Sequence, residues 1–371
     1  MKGRQDSLFP EDGPGDASTA DAAIADESRP GGQPAPGRRA QEVLPAEPGA
    51  EQQAWAARLP PTLHLGTSSW HFPGWKGLVW RGDHASATLS RHGLTAYGQH
   101  PLLRGVSLDR AFYRPLSALD YLRYAQQVPP HFRFIVKAPA LVCDALVRGE
   151  QGQGRQLNTA FLDPTLAVQT FVEPAAEGLR DKAGALVFQI SPLPGRWLRD
   201  MAALLQRLDG LLAAVRQALA PAGALHALAP GAVVAVEVRD AAFLQPDVAP
   251  AFIDTLRRHG ATYCLGLHAK MPPIEDQLFV LRALWPGPLV CRWNLHRRHG
   301  AYGYEAARDL YEPFDRIQDP DPQTREHLAR VIRATTARGL PALVTINNKA
   351  EGSAPLSVAE LARCCLGLSP R

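Results

Sequence analysis

The sequence predicts an α/β fold, a TIM-type (β/α)8 barrel preceded by a disordered N-terminal tail. Three observations carry that expectation. Eight short runs of apolar and β-branched residues recur along the chain. Amphipathic stretches of helical period separate most of them. The composition changes abruptly near residue 60, where a Pro/Gly/Ala/Asp/Glu-rich segment gives way to this alternation.

The eight strand candidates are Leu63–Gly66, Gly105–Asp109, Arg133–Lys137, Ala185–Ile190, Val233–Val238, Ala261–Leu265, Leu289–Trp293 and Ala342–Ile346. The helical stretches are Ala118–Val128, Pro164–Lys182, Arg196–Leu219, Asp247–His259, Asp321–Arg338 and Ser357–Leu366. The segments after the first and sixth strands carry no clear helical period. A doubly wound open sheet is the runner-up built from the same alternation.

Residues 10 to about 50 hold almost no aromatic or β-branched side chains. Such a segment buries too little apolar surface to offset its ordering entropy. Residues 1–58 therefore read as a disordered tail and 59–371 as a single barrel domain.

Composition excludes several classes. The chain has 371 residues, 46% of them hydrophobic and 20% charged, with a formal net charge of +4. That balance permits anionic partners without demanding them. No stretch has the length and apolarity of a membrane span, and the first residues contain no apolar secretory region. The five cysteines, Cys143, Cys264, Cys291, Cys364 and Cys365, include no C-x-x-C pair. A reducing cytoplasm, with no membrane partner, is the expected setting.

Side chains alternate across a strand, so one parity faces the barrel interior. In Val233–Arg239 the valines Val234, Val236 and Val238 share one parity, and Ala235, Glu237 and Arg239 the other. The apolar set belongs under the helices, which turns Glu237 and Arg239 inward. The same argument places Ser107, Asp109, Lys137, Gln189, Ser191, Arg292 and Asn294 inward. Polarity rises toward the carboxyl end of each strand, where barrel enzymes carry their reactive groups.

The residues so assembled form an ordered set of motifs. Gly66-Thr67-Ser68-Ser69-Trp70 leads to Phe72 and Trp75, then Phe112-Tyr113, then Phe132-Arg133-Phe134-Ile135-Val136-Lys137. Leu186 to Pro192, Val236-Glu237-Val238-Arg239, Arg292 and Asn347-Asn348 with Gly352 and Ala354 follow. In this order the body resembles the family called domain of unknown function 72, or the YecE-like family. The resemblance implies a TIM-barrel-like fold and supplies no reaction. Where the family usually shows E-x-N-S-T-F-Y, this chain has Ser107 and Asp109 for the glutamate and asparagine. Cys143-Asp144 lies where a T-H pair is frequent.

Chemistry is expected from two catalytic candidates, Glu237 and Lys137, acting as general base, charge anchor or amine. Arg239 and Arg292 offer planar forks for phosphate or carboxylate. Asp109, Gln189, Asn294, Asn347 and Asn348 would orient a substrate by hydrogen bonds. Trp70 and Tyr113, with Trp75 and Phe112, supply flat faces for a sugar or base. Asp109, Glu237, His268 and His296 show no ligand-pair spacing, so no metal is expected. No P-loop, dinucleotide fingerprint or nucleophile elbow points to a cofactor, which stays unknown.

Gln5-Asp6-Ser7-Leu8-Phe9 resembles the bacterial sliding-clamp binding motif. Leu8 and Phe9 would fill an apolar pocket while Gln5 bonds its rim. The runs Arg257-Arg258 and His296-Arg297-Arg298-His299 agree with a nucleic-acid partner. Two functions are therefore expected to compete. One is an enzyme, a hydrolase or lyase, acting on a phosphate- or sugar-containing anionic substrate or nucleic-acid component. The other is a non-catalytic DNA-maintenance adaptor recruited to the clamp.

Overall fold

The computed structural model describes residues 42–148, 154–220, 231–300 and 303–368. Every apolar run becomes a strand. These are β1 (Leu63–Thr67), β2 (Gly105–Leu108), β3 (Arg133–Lys137), β4 (Ala183–Ile190), β5 (Val233–Val238), β6 (Thr262–Leu267), β7 (Leu289–Trp293) and β8 (Ala342–Ile346). All neighbours pair in parallel, and β8 returns to pair with β1, so the sheet closes as a barrel and the open sheet is excluded.

Closure buries both faces of the strands, which explains their near-continuous apolar runs. The interior holds a small cluster of Ile135, Ala185, Val187, Ala235, Cys264, Val290 and Leu343. The opposite parity, including Phe134, Val136, Leu186, Phe188, Val236 and Val238, joins the larger core under the helices. Close packing of β1 on β2 demands glycine at residue 66. A Cβ there would stand 1.9 Å from the Gly105 carbonyl oxygen.

The helical stretches form where the periodicity places them. Ser117 and Asp120 close a capping box that starts the helix Ala118–Ala125. Leu204, Leu205, Leu208, Leu211, Leu212 and Val215 form the buried stripe of the helix Met201–Ala218. The two segments without a clear period also contain helices, Ser86–His92 after β1 and Ile274–Ala283 after β6. One unexpected element is the antiparallel hairpin of Leu146–Arg148 and Gly154–Leu157, which follows β3.

The tail boundary lies earlier than residue 58. Residues 42–58 pack on the barrel: Val43 and Ala56 are buried, and Ala50–Arg58 is a helix. The chain before that helix is held by Ala46 N–H to Val79 O and by Arg81 N–H to Leu44 O. Averaging composition over the whole stretch hides the few apolar side chains, Val43, Trp55, Ala56 and Leu59, that tie its end down. Residues 1–41, with the 5–9 motif, lie outside the described residues.

Candidate active site at the barrel mouth

The inward parity of five strands or strand ends, with β6 between the last two, delivers polar side chains to one place. β2 ends in Ser107 and Asp109, β3 in Lys137, β4 in Gln189, β5 in Glu237 and Arg239, and β7 in Arg292. β6 contributes Gly266, and this absence of a side chain makes room. A Cβ at Gly266 would stand 3.3 Å from Glu237 Oε1.

Arg292 organises the cluster. Its Nη1 donates to Glu237 Oε2 (2.8 Å) and Gln189 Oε1 (2.9 Å), and its Nη2 to Asp109 Oδ2 (2.7 Å). Arg239 Nη2 donates to Gln189 Oε1 at 3.0 Å and lies 2.8 Å from Glu237 Oε1. Ser107 Oγ donates to Asp109 Oδ1 (2.6 Å). Both carboxylates are thus held by arginine forks in a fixed geometry.

Burial works to raise the Glu237 pKa, but Arg239 and Arg292 outweigh it and hold the carboxyl below its ordinary value. Burial alone would lower the Arg292 pKa; Asp109 and Glu237 raise it instead. Glu237 is 0% exposed. A fully buried carboxylate faced by a guanidinium on each oxygen is held ionised and is a weakened base. Glu237 is placed as the counter-charge of both arginines, where a general base was expected.

Lys137 stands apart. Among the described residues its Nζ makes no hydrogen bond or ion pair, and it sits 3.5 Å above the centre of the Phe112 ring. Loss of hydration brings its pKa down to about 7; Arg292 and Arg239 push the same way, while Asp109 and Glu237 oppose. Arg239 Nη1 likewise has no hydrogen-bond partner among the described residues. Asp109 is one-third exposed (33%), so the cluster opens on its β2 side.

The structure therefore brings Asp109, Lys137, Gln189, Glu237, Arg239 and Arg292 together. Asn347 lies at the same end of the barrel, over β1, and donates to Ser68 Oγ (2.8 Å) and Tyr304 OH (3.3 Å). Asn294 is buried and donates to the Arg292 carbonyl, supporting β7. Tyr113 stays at the surface, edge-on to Phe112.

Two expectations fail on geometry. Asn348 was expected to face the substrate, but its Oδ1 accepts from Trp75 Nε1 (3.2 Å) and the Ala354 amide (2.8 Å), beneath the barrel wall. Trp70 was expected to offer a stacking face; it is 6% exposed, donates to the Leu89 carbonyl and packs on Tyr124. Trp75 is also a core plug.

The basic runs are occupied as well. Arg257 pairs with Asp254, Arg258 with Asp209, and Arg298 with Asp319. His299 faces the Tyr311 hydroxyl. Missed from sequence are Gly266 and Tyr304. Tyr304 starts a helix in a Gly/Tyr-rich segment that carries no signal of its own.

Among the described residues no group of three His, Cys, Asp or Glu side chains is placed to hold a metal ion. Nor is any helix among them long and apolar enough to cross a membrane.

The fold and site define a parallel β/α barrel with a buried acid–base cluster at the carboxyl ends of its strands. The chain belongs to the family described as protein of unknown function DUF72, whose model matches residues 64–367, as the ordered motifs imply. A DUF72 family protein from Enterococcus faecalis V583 is similar in structure, with a TM-score of 0.52 and 16% identity, over 83% of this chain and 97% of that one. Another, from Thermotoga maritima MSB8, has a TM-score of 0.47 and 15% identity over 81% and 98%. The likeness to the Enterococcus faecalis protein bears on the fold alone. A comparison with curated proteins found no match.

Proposed function

We propose that this barrel is an enzyme acting on an anionic small molecule that carries a phosphate or a sugar, bound at the carboxyl ends of the strands. One observation carries the reading: three cationic side chains, Lys137, Arg239 and Arg292, share the mouth with two carboxylates, Asp109 and Glu237. An anion meets the excess of positive charge. Arg239 Nη1 is a donor left to receive it, and Lys137 Nζ lies beside it. Asn347 and the Tyr304 hydroxyl lie at the same end to orient the remainder of the molecule. Within the basic runs, Arg257, Arg258 and Arg298 are ion-paired, which favours a small molecule over a nucleic-acid chain at those positions.

The test is calorimetric titration with ribose 5-phosphate and with ribose. Ribose 5-phosphate is expected to bind at least about tenfold more tightly, a difference of about 1.4 kcal/mol. Equal affinity for both, or none for either, counts against the reading.

A second reading rests on Gln5-Asp6-Ser7-Leu8-Phe9, which lies outside the described residues. In it, the tail recruits the barrel to a bacterial sliding clamp as a DNA-maintenance adaptor. A labelled peptide of residues 1–12 is expected to bind purified clamp. Truncating Phe9 should cost about 2 kcal/mol or more, as at other hot spots. Gln5→Ala should cost less, since a wet rim replaces the lost hydrogen bonds. Equal binding by wild type and the Leu8→Ala/Phe9→Ala peptide, or no binding at about 100 μM, rules the adaptor out.

A further inference from the structure

We propose that Lys137 is a nucleophilic amine that condenses with the carbonyl carbon of an anionic aldehyde or ketone, forming an imine at Nζ. The inference rests on the anion site proposed above and adds the reacting group of the substrate.

Among the described residues Lys137 Nζ has no hydrogen bond or ion pair; the Phe112 ring face favours its ammonium form, and loss of hydration opposes it. Glu237 is shared by Arg239 and Arg292, and Asp109 by Arg292 and Ser107. With the carboxylates taken, Nζ rests on the Phe112 ring. Loss of hydration brings its pKa down to about 7, so the amine form is accessible at neutral pH.

Composition sharpens the point. The chain has 40 Lys and Arg residues, of which only six are lysines: Lys2, Lys76, Lys137, Lys182, Lys270 and Lys349. Arginine is this sequence's ordinary cation, and an arginine at 137 would serve an ion pair or a phosphate well. It would not deprotonate, and so could not act as a nucleophile. Lys76 pairs with Asp83, and Lys182 donates to the carbonyls of Ala125 and Val128, while Lys349, buried, also lies over an aromatic ring, that of Tyr304.

The step balances without a redox partner. The Nζ lone pair attacks the carbonyl carbon, and the C=O π pair moves to oxygen. Both protons of the amine leave with that oxygen as water, and a C=N bond remains. Protonation of the imine from solvent returns a positive charge to the site, where the substrate's anionic group and Glu237 stabilise it.

Borohydride-type trapping tests this directly. The intact chain is incubated near pH 7 with glycolaldehyde phosphate, or with glycolaldehyde, in the presence of sodium cyanoborohydride. Peptide mass spectrometry then locates the secondary amine formed. Glycolaldehyde phosphate is expected to label Lys137 at least about tenfold faster than Lys76, with a rate that rises through about pH 7. Lys137→Arg should lose that label and keep the others. Equal, fast labelling of Lys137 by both aldehydes would uphold the amine and overturn the anion site. Labelling of Lys137 no faster than Lys76, with ribose 5-phosphate still bound, would overturn the amine and leave the anion site standing.

Discussion

Replacing Arg292 with methionine is expected to destabilise the barrel by about 3–5 kcal/mol, because it leaves buried charge without its partner. The methionine fills much of the same volume, so little of the loss comes from a cavity. What is lost is the fork that joins Glu237, Gln189 and Asp109. Glu237, fully buried, would keep Arg239 alone as counter-charge. Arg292→Lys should fall between, since a single ammonium cannot bridge three acceptors on different strands. Urea unfolding of the three proteins measures the effect. Adding Glu237→Gln to Arg292→Met should recover part of the loss, as expected when two residues act through one interaction. A loss under about 1 kcal/mol for Arg292→Met would put the pair in the class of weak surface ion pairs and deny it the role of organising the mouth.

The chain is also expected to lose stability steeply between pH 6.5 and pH 4. Burial lowers His64 and His100 from 6.5 to about 4 in the folded protein. For His64 the nearby Arg133, Arg104 and His131 add to burial, while a hydrogen bond with the Arg104 backbone opposes it. Both histidines stay neutral when folded and take up a proton when unfolded. Their contribution is therefore complete above pH 6.5 and is lost as pH falls through the folded value near 4. A difference of this size corresponds to about 3 kcal/mol per histidine. The measurement is the urea midpoint across this range for wild type, His64→Gln and His100→Asn. Each variant should flatten the slope; an unchanged slope in both would show that other groups carry the acid sensitivity.

The strands were legible because burial on both faces leaves apolar runs too short for helices, and the runs match β1–β8 within two residues at either end. The inward set was legible from parity: Glu237 and Arg239 share a face because strand side chains repeat every two residues. What parity does not encode is reach. It places Asn347 and Asn348 side by side without saying that the backbone turns between them and sends Asn348 to Trp75. Nor does it show that Gly266 leaves the space into which Glu237 leans. The role of Glu237 depends on where two guanidinium groups end, and only the closed barrel brings residues 109, 189 and 292 to it. Aromatic side chains misled in the same way: Trp70 and Trp75 are at home in either a binding face or a core, and packing decides.

The central claim, a single anion-binding site at the barrel mouth, is tested most directly by a crystal structure of the intact protein soaked in ribose 5-phosphate. Phosphate density within hydrogen-bond distance of Arg239 Nη1, with the sugar extending toward Lys137 Nζ, is the predicted result. Density elsewhere on the surface, with the mouth holding only water at saturating ligand, would contradict it.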